Sequence, residues 1–263
     1  MKLDGCNALI TGASAGLGSE FARQLAPRAR SIVLVARRVE RLQQLQHELT
    51  AANPKLQVHV RAADLSNVDE VGALADGLER DRTAVDLLIN NAGLGDRGAF
   101  VTSDPPRVND ILAVNVIALT MLTRRLLPAM VAAKRGAILN VSSSASFMPM
   151  PELGVYAATK AYVTSFSEAL RGELRGSGVV VSALCPGPVH TEFDRVARRA
   201  SDREQRLAPE FTYVSAAKVV RMGLAGIERD RAIVIPGAAM KSAMFVTRLL
   251  PMPLLRAAWR FAR

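Results

Sequence analysis

Short apolar runs rich in β-branched residues recur along the chain. Between them lie longer stretches whose apolar positions return every three or four residues. The short runs cover residues 7–11, 31–36, 57–61, 85–90, 137–142, 179–184 and 232–235. Most are continuously apolar rather than alternating, the pattern of strands covered on both faces. Helices are predicted over 18–26, 39–52, 68–80, 105–134, 154–176 and 215–229. Strand followed by helix, six times over, builds a parallel sheet through right-handed crossovers. The expected fold is α/β, a doubly wound parallel sheet of the Rossmann type. It has seven strands, helices on both faces and one domain over residues 1–236. Ligands of such sheets bind outside the carboxyl ends of the strands, so chemistry is expected in the loops that follow them.

Composition narrows the class. With 263 residues, 49% of them apolar, the chain can bury a sizeable core without disulfides or a structural metal. Aromatic residues make up only 5%, which leans away from a β-sandwich. The two cysteines, Cys6 and Cys185, lie far apart with no CxxC, so no disulfide framework is expected. Met1-Lys2-Leu3-Asp4-Gly5 places an acid and a glycine where a secretory leader needs an apolar stretch. No uncharged apolar run approaches the roughly 20 residues that span a bilayer, and a cytoplasmic protein is expected. The net charge of +10 raises nucleic acid, anionic membranes and phosphorylated ligands together. Zinc-finger spacing and a basic recognition helix are both missing, so nucleic acid is not expected as a partner. His47, His59 and His190 read as surface or loop residues, and nothing has metal-ligand spacing.

The loops carry the chemistry. After the first run comes Thr11-Gly12-Ala13-Ser14-Ala15-Gly16-Leu17-Gly18. Glycines there allow a tight turn and let backbone amides approach a phosphate at a helix N-terminus. Gly12, Ser14, Ala15, Gly16, Leu17 and Gly18 are the expected cradle. About 20 residues on, where an NAD site offers a carboxylate to the ribose, stand Ala36-Arg37-Arg38. No acid opposes a 2′-phosphate there, and Arg37 is expected to pair with it beside Arg38, implying NADP(H). The alternative is two solvated arginines at a helix start. Asp64-Leu65 follows the third run, as a partner for adenine or as a helix cap. Asn90-Asn91-Ala92-Gly93 follows the fourth, with small residues that let backbone pass a flat ring. Ser143 follows the fifth, and Tyr156 and Lys160 stand four apart on one helical face. An ammonium near a phenol favours the phenolate and suits the pair to proton transfer. Asn115, polar within an apolar stretch, is either a structural node or part of a relay. After the sixth run, Pro186-Gly187-Pro188-Val189-His190-Thr191 forms a rigid turn; Pro186, Gly187, Val189 and Thr191 are candidates for holding a carboxamide.

Taken in order, these motifs resemble the short-chain dehydrogenase/reductase family over residues 5 to about 236. The resemblance implies that Tyr156 donates the proton and that Ser143, thirteen residues earlier, orients the substrate carbonyl. It implies that Lys160 holds the nicotinamide ribose and lowers the tyrosine pKa, and that Asn115 orders a water in the relay. A finer resemblance rests on Leu34-Val35-Ala36-Arg37-Arg38, Ser165-Phe166-Ser167-Glu168-Ala169-Leu170 and Val234-Ile235-Pro236-Gly237. It is similar to a bacterial DltE-like branch related to 3-oxoacyl and hydroxysteroid reductases. An NADPH-dependent carbonyl reductase is the expectation, set against a silent NADP-binding scaffold. The small-molecule partner is a ketone, aldehyde or alcohol.

Outside the motifs, residues 190–212 carry Arg195, Arg198, Arg199, Arg203 and Arg206 and are expected to form a mobile lid. From 237 to 263 the chain has five basic residues and no acid. Beyond Leu254, Arg256, Arg260 and Arg263 face away from Leu254, Leu255, Ala258 and Trp259 on a helical plot. This basic amphipathic tail is expected to pack on the protein, or to wall a greasy substrate site and touch an anionic membrane. A homodimer or homotetramer is expected through the helices at 105–134 and 154–176.

Overall fold

In the computed structural model, residues 1–199, 212–250 and 253 are described. The strands are β1 (Asn7–Thr11), β2 (Ser31–Ala36), β3 (Gln57–Ala62), β4 (Leu87–Asn90), β5 (Gly136–Val141), β6 (Val179–Leu184) and β7 (Ile233–Val234). They form one parallel sheet in the order β3-β2-β1-β4-β5-β6-β7, with the direction of winding reversed between β1 and β4. The helices are α1 (Gly16–Leu25), α2 (Val39–Ala52), α3 (Val68–Arg80), α4 (Pro105–Leu112), α5 (Leu119–Ala132), α6 (Gly154–Glu173), α7 (Glu192–Ala197), α8 (Ala216–Glu228) and α9 (Ala238–Leu249).

The unbroken apolar runs have a direct cause. Successive strand residues point to opposite faces, and both faces are covered. Ala8 and Ile10 of β1, Ile32 and Leu34 of β2, and Leu87 and Ile89 of β4 join one core with Phe21, Leu42, Val220 and Ile227. Their neighbours Leu9, Val33, Val35 and Leu88 join the other core with Val71, Leu74, Val114 and Leu122. An alternating sequence would leave polar groups in one of these layers.

The helix expected over 105–134 is not uniform. α4 passes into a wide π-helical turn, Ala113–Ala118, before α5 begins. Such turns widen the helix by one residue and often sit at functional sites. Here the turn carries buried Asn115. The run Pro105–Ala132, which includes the charged residues Arg107, Asp110, Arg124 and Arg125, is long and apolar enough to cross a membrane by length and composition alone. It packs on the sheet through Val114, Ala118, Leu122 and Met130, which are all buried and share a core with Leu88 and Ile138.

α7 lies within the segment expected as a lid loop, and α9 occupies the start of the expected tail. The amphipathic stretch from Leu254 to Arg263, with Arg203 and Arg206 of the lid, falls outside the described residues.

Candidate active site

The carboxyl ends of β1, β2, β4, β5 and β6 open into one cleft of about 580 Å³. Nearly every residue singled out from the sequence lines it. Of the candidate catalytic and cofactor-binding residues, all but Gly18 and Asn115 are on its wall.

The phosphate end is built on β1 and α1. Thr11 pins two strand ends together: its Oγ1 accepts from the backbone N–H groups of Asn91 and Ala92 at 3.0 Å each. Asn91 Nδ2 donates back to the Thr11 carbonyl at 2.9 Å. That closeness leaves no room at the turn. A Cβ on Gly18 would lie 2.2 Å from the Gly12 carbonyl oxygen, and one on Gly12 would lie 2.9 Å from Ala92 Cα. Gly12 also holds φ +65°, in the left-handed region. Ala15, at the N-cap of α1, has no side chain that can cap, so the first amides of the helix are left to a ligand. A pyrophosphate fits this cradle.

Beside it, Arg38 turns its Nε and Nη2 edge on Ser14 Oγ, at 3.2 and 3.1 Å. Arg37, expected to be the phosphate ligand, instead reaches Asp64 at 3.5 Å. The structure therefore brings Arg38, not Arg37, to the glycine turn. Asp64 is not the cap of α3, because Asn67 takes that role by accepting from Asp69 and Glu70 N–H groups. Asp64 Oδ1 instead accepts from the N–H and hydroxyl of Ser66, which fixes its carboxylate at the cleft edge.

In the middle of the cleft stand Ser143, Tyr156 and Lys160. Lys160 is buried, with its ammonium donating to the Val141 carbonyl at 2.8 Å and lying 5.7 Å from the Tyr156 ring centroid. Burial pushes the Tyr156 phenol up to about 12, while the Ser143 hydroxyl, its side-chain partner, pulls the other way. Burial also presses the Lys160 ammonium down to about 8. The expected lowering of the tyrosine by the lysine is thus overturned in the protein alone. Desolvation opposes both charged forms, and one of the ammonium's three donors is given to the Val141 carbonyl.

Asn115 is a node. Its Oδ1 accepts from Leu94 N–H at 2.8 Å, and its Nδ2 donates to the Leu94 carbonyl and to Thr159 Oγ1, both at 2.9 Å. The π-helical turn aims this amide at the loop after β4 and so places Gly93 against Lys160 Nζ. Beneath lies a polar row; sequence reasoning named Asn90 in the turn after β4 but not the partners it joins. Asn90 Nδ2 donates to Thr123 Oγ1 and Asn140 Oδ1, and Asn140 donates to Ser167. Polar residues inside apolar strands were its only signal.

A family model described as short chain dehydrogenase matches residues 6–202, most of the chain. The chain belongs to that family. A very-long-chain 3-oxoacyl-CoA reductase of Anas platyrhynchos is 31% identical over 244 residues, 90% of this chain and 74% of that protein. A short-chain dehydrogenase from Sphingobium yanoikuyae, solved in complex with NADPH, is 32% identical with a TM-score of 0.79. The match covers 92% of this chain and 93% of that one. A short-chain dehydrogenase/reductase from Burkholderia phymatum, solved in complex with NAD, is 28% identical with a TM-score of 0.80 and 93% coverage of both chains.

The remaining wall of this short-chain dehydrogenase is largely apolar, with Arg97 and Asp194 among its lining, and its apolar makers were not legible as a site. Met148, Met150 and Leu153 come from the loop before α6, and Met240 and Met244 come from α9. Phe193 of α7 packs on Tyr156, ring centroids 5.2 Å apart. Two arginines of the segment expected as a lid are engaged internally: Arg199 pairs with Asp96 at 2.6 Å, and Arg198 with Asp194 at 2.7 Å. Arg97 N–H also donates to the Ala197 carbonyl, so α7 is fastened to the loop after β4.

Proposed function

We propose that the chain is an NADPH-dependent reductase of apolar ketones or aldehydes, within the DltE-like branch of its family. The observation that carries this is convergence: Ser143, Tyr156 and Lys160 share one cleft with a phosphate-fitting glycine turn at one end and a methionine wall at the other. When bound, NADPH supplies the hydride. Ser143 Oγ donates a hydrogen bond to the substrate oxygen and fixes its position. Tyr156 Oη gives its proton to that oxygen as it gains charge, which converts the carbonyl to an alcohol. Lys160 favours the phenolate left behind whenever it carries its proton. The methionines and Leu153 exclude water and adapt to bulky apolar groups, because thioether side chains are flexible. Met240 and Met244 take the walling role expected of the tail. The 3-oxoacyl-CoA reductase among the relatives supports an acyl ketone, whereas a phosphorylated carrier would find Arg198 and Arg199 already paired.

Loss of reduced-nicotinamide absorbance against a panel of carbonyl compounds tests this reading. Turnover is expected to rise from small polar ketones to long apolar ones. Tight NADPH binding with no turnover of any compound would instead leave a silent scaffold.

Cofactor choice rests on Arg38 and Ser14. NADPH is expected to bind more than about tenfold tighter than NADH, a difference of roughly 1.4 kcal/mol. Titration of both cofactors should show Arg38→Ala losing most of that preference and Arg37→Ala losing less. A larger loss in Arg37→Ala would return the phosphate to the residue first expected from the sequence.

A further inference from the structure

Glu192 is the first residue of α7, and it lines the cleft beside the glycine turn. Its Oε2 accepts from Arg38 Nη1 at 3.0 Å, and its Oε1 from Arg41 Nη1 at 2.9 Å. Arg195, one turn on, reaches the same carboxylate at 3.5 Å. Arg41 and Arg38 hold the Glu192 carboxyl below its usual range. Its neighbours are equally engaged. Thr191 caps α7 and its Cβ stands against Gly16, while Phe193 packs on Tyr156.

Within three consecutive residues, α7 therefore touches the phosphate turn, the cationic pair beside it and the proton donor. Arg38 is shared. One edge of its guanidinium faces Ser14, and its remaining nitrogen is taken by a carboxylate from the lid. A dianionic 2′-phosphate placed at Ser14 and Arg38 would add about two negative charges beside a third. Arg38 and Arg41 stand at 3.0 and 2.9 Å from the carboxylate while exposed Arg195 reaches only to 3.5 Å, so carboxylate and phosphate compete for the same two guanidiniums at contact distance.

We propose that Glu192 is an internal competitor for the 2′-phosphate, holding Arg38 and Arg41 until the phosphate displaces it. Its displacement frees the first turn of α7 and lifts Phe193 from Tyr156. Recognition of the phosphate at one end of the cleft thus opens the substrate end. This rests on the NADPH reading above and adds a residue, on the lid, that sets how strongly the phosphate is felt.

The test uses 2′,5′-ADP and 5′-AMP, which differ only in the phosphate at issue. Calorimetry on the full chain should show Glu192→Gln tightening 2′,5′-ADP by about fivefold, the scale of one or two exposed ion pairs, with 5′-AMP unchanged. Hydrogen exchange on the wild-type protein supplies the second measurement. The amides from Phe193 to Ala197 should exchange faster with 2′,5′-ADP than with 5′-AMP, and in Glu192→Gln they should already be fast without ligand. Weaker or unchanged 2′,5′-ADP binding in the variant would overturn the proposal, as would equal exchange with both ligands. A wild-type protein that binds the two ligands equally would overturn the cofactor reading and this inference together. A wild type that prefers 2′,5′-ADP alongside an unaffected variant would overturn only the role of Glu192.

Discussion

Tyr156→Phe is expected to lower carbonyl-reducing turnover by at least about a hundredfold, the span usually lost with a positioned general acid. The phenol lines the middle of the cleft with Ser143 as its side-chain partner, and burial holds its proton on up to about 12. It is therefore a proton donor at every pH at which the protein is assayed. The ring still packs on Phe193 after the hydroxyl is removed, so the fold is not expected to suffer. The glycine turn and Arg38 lie at the other end of the cleft, so NADPH binding should change by less than about threefold, within the spread of ordinary surface effects. Turnover of more than a few per cent of wild type would show that another group supplies the proton.

Lys160→Met is expected to abolish turnover and to stabilise the protein without its cofactor. Lysine burial here costs about 3 kcal/mol when the ammonium is charged, from the drop of its pKa to about 8. Methionine leaves the Val141 carbonyl without its donor, which returns about 1 kcal/mol of that gain. The net is about 2 kcal/mol and a Tm higher by several degrees. The pH dependence identifies the cause. Below about 8 both folded and unfolded chains hold the proton, so the wild type bears the full penalty. Between 8 and the unfolded value of 10.5 the folded lysine has lost its proton, and wild-type stability climbs with pH. The advantage of the variant should shrink across that window. Tyr156 acts in the opposite direction above about 10, where the unfolded phenol ionises and the folded one does not. Thermal melts of both proteins across this range measure the effect. A variant less stable than wild type at neutral pH would show that Lys160 is paid for by contacts beyond Val141.

Both predictions concern residues that were visible in the sequence, but the reasons for their strength were not. Tyr156 and Lys160 are legible because a helix places residues four apart on one face. Their desolvation comes from the packing of β5, β6 and α7 around them, which belongs to no local pattern. The expected lowering of the phenol therefore failed in the protein alone. Arg37 and Arg38 show the same division. Two adjacent arginines after β2 announce a phosphate, yet which of them reaches Ser14 depends on the start of α2 and on Glu192. Glu192 lies 154 residues further along the chain than Arg38.

Sequence by itself determined the order of strands and helices, their two-sided burial and the loops that carry chemistry. These follow from periodicity, from glycines that admit no Cβ, and from short-range spacing along one element. Tertiary structure alone decided the π-helical turn that aims Asn115 at Leu94, the row from Thr123 through Asn90 and Asn140 to Ser167, and the methionine wall drawn from two distant segments. It alone set Glu192 on the arginines. Each of these joins residues far apart in the chain. Their contact geometry is fixed only when seven strands settle in register and close side-chain distances that no local pattern encodes.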